Sequence, residues 1–164
     1  MNALIVAAGL SSRLRPITEN LPKSLIAIQG QSLIERSVSN LERLGINKIV
    51  VVVGYLREQI TAKLGNRVSY VHNPFYAQTN NLASCWFGLS EIAGEPFIYL
   101  HADLIMSPDL VKRIAEDSSE QEASLLIDFD SVDEEAMKVR LQMGRFIESS
   151  KSIPLDQAAG EWTG

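Results

Sequence analysis

Leu4-Ile-Val-Ala-Ala-Gly-Leu-Ser-Ser-Arg-Leu-Arg-Pro-Ile-Thr-Glu-Asn-Leu-Pro-Lys23 is the stretch from which the rest of the chain can be organised. Its apolar part, residues 3–8, has the length and branched content of a strand buried on both faces. The run stops at Gly9, and Leu10, Ser11, Ser12, Arg13 and Arg15 follow. Small residues at this point let backbone N–H groups come close to an anion. Arg13 adds a planar donor fork suited to phosphate oxygens, and Pro16 and Pro22 stiffen the path to a second cation, Lys23. A backbone cradle and two fixed cations after a first strand describe a polyphosphate site. The spacing is neither Gly-x-x-x-x-Gly-Lys-Ser/Thr nor Gly-x-Gly-x-x-Gly.

Working outward, residues 24–28 form a short apolar piece closed by a turn at 29–31. A helix is expected over 32–44, with Ser32 and Glu35 as a capping box, one apolar face, and Gly45 just past the end. Residues 48–53 read as a second strand, apolar on both faces. A short helix then ends at Leu64-Gly65, and 68–71 form a third strand. A helix from 81 or 82 to about 92 is capped by Asn80. Residues 97–101 give a fourth strand, and a helix opens at Ser107-Pro108 and runs to about 117. A polar turn at 117–122 and a fifth apolar strand over 123–129 follow. Residues 138–142 and 145–149 flank Met143-Gly144 as a hairpin. Strands alternating with helices predict a parallel α/β sheet, and ligands of such sheets sit beyond the carboxyl ends of the strands. No linker or repeat divides residues 1–164, so a single domain is expected.

Three further segments carry polar chemistry. The amides of Asn73, Asn80 and Asn81, with Ser84, stand where a strand hands over to a helix. They could read a base edge or a ribose, but from this segment alone turn-and-cap chemistry is the favoured reading. Asp103, directly after the fourth strand, is placed either to hold Mg²⁺ beside a polyphosphate or to serve as a turn residue. Asp128, Asp130 and Asp133 make an acidic connector. His101 reads as a partly buried strand residue, and His72 shows no partner.

Composition narrows the class. The 164 residues are 46% hydrophobic and 21% charged with a net charge of -5, the profile of an ordinary globular domain. A nucleic-acid binder would show a broad basic face. The one cysteine, Cys85, lies among apolar residues and reads as a core thiol. No apolar stretch is long enough to span a bilayer, and no signal peptide precedes the first strand, so a cytoplasmic location is expected.

The opening stretch resembles the signature of nucleotidyltransferases that activate sugar phosphates and phospho-alcohols: apolar strand, Ala-Ala-Gly, a Ser turn, Arg, then Pro-Lys. Asn73-Pro-Phe-Tyr and Asn80-Asn81-Leu-Ala-Ser84 resemble the Asn-Pro-x-Tyr…Asn-Asn-x-x-Ser segment of the cytidylyltransferases acting on phosphocholine, aminoethylphosphonate and inositol phosphate. The run around Glu135 to Val139 is similar to an Asp-x-Glu-x-Met/Thr-Lys-Val segment of the same group. The resemblance implies a Rossmann-like three-layer α/β/α sandwich with a mostly parallel central sheet. It implies CMP transfer from CTP to a phospho-alcohol or phosphonate acceptor, with release of pyrophosphate and with Mg²⁺ as cofactor.

By the same resemblance, Arg13 and Lys23 are catalytic, and Ala7, Ala8, Gly9, Leu10, Ser11, Ser12, Asn80, Asn81 and Ser84 bind the nucleotide. Asp103 binds the metal, and Lys138 and Asp130 stand near the acceptor. The alternatives are a sugar-1-phosphate nucleotidyltransferase using UTP, dTTP or GTP, and a non-catalytic nucleotide-binding module. Family members continue beyond a point equivalent to Gly164, where a second metal-binding carboxylate is supplied, so a C-terminally shortened relative is expected. Neither nucleic-acid nor membrane partners are expected, while homo-oligomerisation is open.

Overall fold

The computed structural model describes residues 1–92, 94–116, 123–130 and 132–163. Where the sequence is read as one domain, the contacts fall into two compact units, Met1–Asp117 and Ser118–Gly164. Each is taken by itself.

The first unit is built on a four-stranded sheet. Strand β1 (Asn2–Ala7) is followed by a minimal hairpin of β2 (Ala27–Ile28) and β3 (Gln31–Ser32). Helix α1 (Leu33–Arg43), strand β4 (Ile49–Val53), helix α2 (Arg57–Leu64) and strand β5 (Ser69–His72) come next. Helix α3 (Asn81–Ile92), strand β6 (Phe97–His101) and helix α4 (Pro108–Glu116) complete the unit. The sheet order is β5-β4-β1-β6 with every pairing parallel. β4 is Ile-Val-Val-Val-Val with all five residues buried, as a strand covered on both faces requires.

The two faces carry separate cores. Ile5, Val51, Val53 and Leu100 pack with Ile34, Val38 and Leu41 of α1, Ile60 and Leu64 of α2 and Val111 of α4. Leu4, Val50 and Val52 pack with Ile92 of α3 on the other face. The expected three-layer α/β/α arrangement with a parallel sheet is therefore present. Gly88 explains how closely α3 lies on the sheet: a Cβ there would stand 2.3 Å from Leu4 Cδ1 and 2.8 Å from Val52 Cγ2.

Local signals are met where they depend on neighbours in sequence. Ser32 and Glu35 form the capping box, with Ser32 N–H donating to Glu35 Oε2 at 3.0 Å, and Gly45 follows the helix at φ 76°. Gln29 and Gly30 both take positive φ, the turn a two-residue hairpin needs.

The second unit holds an antiparallel sheet of β7 (Ile127–Asp128), β8 (Lys138–Gln142), β9 (Arg145–Ser150) and β10 (Gly160–Trp162), in the order β7-β10-β8-β9. The hairpin at Met143-Gly144 is present, with Lys138 opposite Ser150 and Gln142 opposite Arg145. The fifth strand expected over 123–129 needs correction. Only Ile127–Asp128 is strand, and it pairs antiparallel with β10. An apolar run shows the capacity to be buried, but a ladder needs a partner, and β10 is three residues long. The polar turn expected at 117–122 lies outside the described residues.

Candidate functional site at the strand carboxyl ends

β1 delivers the phosphate-loop candidate. Ala7 is half-buried and Ala8 is buried, and the Ala8 carbonyl accepts from Tyr55 N–H at 3.1 Å. Gly9 is exposed, and a Cβ there would meet nothing within 4 Å. Its value is open space in front of the strand end, because its φ is not in the left-handed region. The turn is made by Ser11 instead, at φ 52° and ψ 34°, ahead of a 3₁₀ turn over Ser12–Leu14. A left-handed residue followed by right-handed ones points successive N–H groups into one concavity, which suits an anion. Leu10 and Ser11 are half-buried, while Ser12 and Arg13 are exposed. Arg13 has no carboxylate partner among the described residues.

The loop is held from behind by groups that short-range pattern did not reveal. Thr18 is fully buried, and its Oγ1 donates to the Ser11 carbonyl at 2.7 Å. From the α2 side, Tyr55 Oη donates to the Glu19 carbonyl at 2.5 Å and Gln59 Nε2 to the Asn20 carbonyl at 3.0 Å. Pro22 then leads into a 3₁₀ turn, Lys23–Leu25, which presents Lys23. Lys23 Nζ lies 2.5 Å from Asp103 Oδ2, with the side chains 39% and 35% exposed. Eighty residues of sequence separate them. The fold brings them together because β1 and β6 are neighbours in register, and Ala102 N–H donates to the Val6 carbonyl at 3.1 Å.

The amide segment divides by burial. Asn73 is fully buried; its Nδ2 donates to Ser84 Oγ and Thr79 Oγ1, both at 3.0 Å, while its Oδ1 accepts from Phe75 N–H at 2.9 Å. Asn73 and Ser84, itself 4% exposed, thus brace the turn into α3. Asn80 Oδ1 accepts from Ala83 N–H at 3.2 Å, the expected cap. Asn81 is exposed, and its Nδ2 lies 3.2 Å from His101 Nε2. The Tyr99 hydroxyl lies 3.0 Å from that nitrogen, and its ring meets the imidazole edge-on.

Burial pushes the His101 imidazole below its ordinary value, opposed by the Asp103 carboxylate and reinforced by Lys23. Burial, with Cys85 and Asp103, pushes the Tyr99 hydroxyl up. Cys85 itself is half-buried against the α3-side core, and burial raises its thiol. His72 does have a partner: Arg57 Nη1 lies 2.9 Å from its Nδ1.

In the second unit the expectation for Lys138 changes. Lys138 is 1% exposed, and its Nζ donates to the carbonyls of Glu134 at 2.9 Å and Asp133 at 3.5 Å. It fastens a loop from within and does not offer its ammonium to an acceptor phosphate. Asp128 Oδ1 accepts from Asp130 N–H at 2.9 Å, and Asp133 Oδ1 from Glu135 N–H at 2.8 Å. Asp128 and Asp133 close turns through their own backbone, and Asp130 is exposed. Ala123, Leu125, Phe146, Ser149 and Trp162 line a depression in this unit, which carries no charge to match a phosphate.

Among the described residues no three His, Cys, Asp or Glu side chains gather as a metal site. Mg²⁺ is commonly held by one or two carboxylates together with substrate phosphates. Asp103 alone, just past β6 and so at the strand end next to the one that carries the Ser11–Ser12–Arg13 turn, fits that pattern.

A doubly wound sheet usually places a glycine-rich turn where its first strand ends. Here a serine turn, two cations and an ion-paired aspartate stand at that edge, the arrangement of a nucleotidyltransferase. The chain belongs to the MobA-like NTP transferase domain family, whose pattern matches residues 3–143. It is 45% identical over 96 residues to a choline-phosphate cytidylyltransferase of Streptococcus pneumoniae, covering 57% of this chain and 41% of that protein. It is 37% identical over 111 residues to a 2-aminoethylphosphonate cytidylyltransferase of Lancefieldella rimae, covering 66% and 45%. The structure of an inositol-1-phosphate CTP transferase from T. maritima superposes with a TM-score of 0.72 at 28% identity, covering 99% of this chain and 68% of that one. The chain spans under half the length of both curated relatives.

Proposed function

We propose that this chain binds CTP at the carboxyl ends of β1 and β6 and takes part in transferring CMP to a phospho-alcohol or phosphonate acceptor. The observation that carries this is the convergence of Lys23 and Asp103 at 2.5 Å at the paired strand ends, one of which leads into the Ser11–Ser12–Arg13 turn. An anionic oxygen of the acceptor attacks the α-phosphorus in line. The bond from that phosphorus to the bridging oxygen breaks, and its electron pair leaves with pyrophosphate. No general base is required, because the attacking oxygen already carries its charge. Arg13 and the backbone N–H groups of the serine turn hold the β- and γ-phosphates and stabilise the charge that collects on the leaving group. Lys23 leaves Asp103 for the α-phosphate and the incoming oxygen, holding the two reactants in line. Asp103, freed of Lys23, would hold Mg²⁺, which supplies neutralisation of phosphate charge. Asn80 and Asn81 face the base, with Ser84 and Asn73 keeping the segment in place.

Pyrophosphate release by the 164-residue chain tests this, with CTP, Mg²⁺ and a panel of phosphocholine, 2-aminoethylphosphonate, inositol 1-phosphate and glucose 1-phosphate. Release with one of the first three acceptors is the expected result. A preference for UTP or dTTP with glucose 1-phosphate would replace this reading with a sugar-phosphate one. CTP binding without release under any acceptor would leave a nucleotide-binding module.

A further inference from the structure

The amide nitrogen of exposed Asn81 meets a ring nitrogen on another element, which orients the side chain. An asparagine side chain at an exposed helix start can turn either its oxygen or its nitrogen toward a ligand, and the two choices suit opposite hydrogen-bonding edges. Here Asn81 Nδ2 lies 3.2 Å from His101 Nε2. An amide nitrogen only donates, so Nε2 is the acceptor and Asn81 Oδ1 is turned away from the imidazole. The imidazole is held in turn: Tyr99 packs edge-on against it with ring centroids 5.4 Å apart, and its hydroxyl is 3.0 Å from Nε2. Asn80 makes the complementary commitment, because its Oδ1 is used by Ala83 N–H. The start of α3 therefore presents one amide oxygen, on Asn81, and one amide nitrogen, on Asn80.

We infer that His101 is a positioning residue for base selection, locking Asn81 so that it offers an acceptor to the exocyclic amine of cytosine and meets the carbonyl of uracil at the same place with like polarity. The inference rests on the reading that Asn81 faces the base. Cytosine's N4 amine donates where uracil's O4 accepts. With the amide free to turn, both bases could be satisfied; with the nitrogen tied to His101, only the amine is. One hydrogen bond made or lost in this way amounts to about tenfold in relative affinity.

The experiment is the ratio of CTP to UTP dissociation constants, measured by calorimetry on the 164-residue chain and its variants. The unaltered chain should prefer CTP by about tenfold. His101→Phe keeps a ring against Tyr99 but removes the acceptor, and should bring the ratio to within about twofold of one by strengthening UTP binding. In an Asn81→Ala background the same change should leave the ratio where Asn81→Ala puts it. A histidine that merely supported the strand end would weaken both nucleotides together in either background. Asn81→Asp supplies a second route should His101→Phe fail to fold. A carboxylate offers acceptors on both sides and suits the first turn of a helix, so this variant should keep the CTP preference. A ratio unchanged by His101→Phe, or a preference for UTP in Asn81→Asp, overturns the inference while leaving CTP binding itself intact. Failure of the unaltered chain to bind either nucleotide would overturn the reading it rests on, and the inference with it.

Discussion

Replacing Gly54 by alanine puts a methyl group between the sheet and the loop that begins at Gly9, where the structure has no room for one. Gly54 follows β4 directly, and a Cβ there would lie 2.6 Å from Tyr76 Cβ, 2.7 Å from Tyr76 Cγ and 2.7 Å from the Ala8 carbonyl oxygen. Reaching an ordinary 3.4 Å separation from Tyr76 Cβ requires a movement of 3.4 − 2.6 = 0.8 Å. Two of the obstacles are backbone or first side-chain atoms, which cannot swing aside as the end of a long side chain can. Overpacking of this kind costs about 1–3 kcal/mol. Against that, alanine restricts the unfolded chain and contributes about 0.4–1 kcal/mol. Taking the middle of each range, the net loss is about 1.3 kcal/mol, or roughly 3–5 °C in melting temperature for a chain of this size.

Because the Ala8 carbonyl also accepts from Tyr55 N–H, the displacement passes into the loop that begins at Gly9. A misplacement approaching 1 Å there should weaken nucleotide binding by on the order of tenfold or more. The assay is thermal unfolding followed by calorimetric titration with CTP. A variant as stable as the parent would refute the packing argument, and a destabilised variant with unchanged CTP affinity would refute the link from Gly54 to the loop. Gly9→Ala is the contrast, since a Cβ at Gly9 meets nothing within 4 Å. Stability should hold or rise by about 0.4–1 kcal/mol, while CTP binding should fall, since the proposed function gives that space to the ligand.

Lys23→Ala should abolish pyrophosphate release and leave the melting temperature within a few degrees, since a partly exposed ion pair contributes roughly 0–1 kcal/mol; surviving turnover would remove Lys23 from the mechanism. Thr18→Val removes one of the two donors to the Ser11 carbonyl, which keeps Leu14 N–H at 3.1 Å, and should cost about 0.5–1.5 kcal/mol by chemical denaturation. It should also weaken CTP binding by freeing Ser11 from its left-handed conformation, and unchanged affinity would show that Ser11 holds that conformation unaided. The hydrogen bond from Ser32, with Lys63 adding to it, holds the Glu35 carboxyl below the usual carboxylate range. Its folded pKa is thus depressed, so its stabilising contribution is present above the unfolded pKa and is lost as pH falls through the folded one. Glu35→Gln should reduce stability at neutral pH and flatten the acid limb of the stability curve below about pH 4.5; an acid limb as steep as the parent's would contradict this.

The parts of the fold legible in the sequence are those whose cause is local. The capping box of α1 joins residues three apart, the Gln29-Gly30 and Met143-Gly144 turns are set by two residues each, and β4 declares its burial through five consecutive branched side chains. The site was legible only as far as its cations, amides and aspartate. Nothing in the local pattern around Thr18 announces that it holds Ser11, because the contact depends on the loop folding back over seven residues. Tyr55 and Gln59 reach Glu19 and Asn20 across 36 and 39 residues. Lys138 misleads for the opposite reason: a lysine in a polar stretch reads as a solvated cation, yet here two backbone carbonyls satisfy its ammonium at 1% exposure.

The pairing of Lys23 with Asp103 bears on how such a site can be ready before its ligand arrives. Two like charges held near each other, or one charge held without a partner, would have to be stabilised by the rest of the fold. An ammonium and a carboxylate side by side neutralise one another in the free protein, and their partial exposure keeps the pair weak enough to separate. Under the proposed function, a triphosphate arriving with its metal ion offers each member a new partner of the correct sign: phosphate oxygen for Lys23, cation for Asp103. The two side chains exchange partners without either charge being left alone, so loading requires little reorganisation of the surrounding backbone. That backbone is the part fixed most firmly, by Thr18 on Ser11, by Tyr55 on Glu19 and by Ala102 on Val6. Rigid main chain with exchangeable side-chain charges is what preorganised electrostatic stabilisation of a leaving pyrophosphate requires.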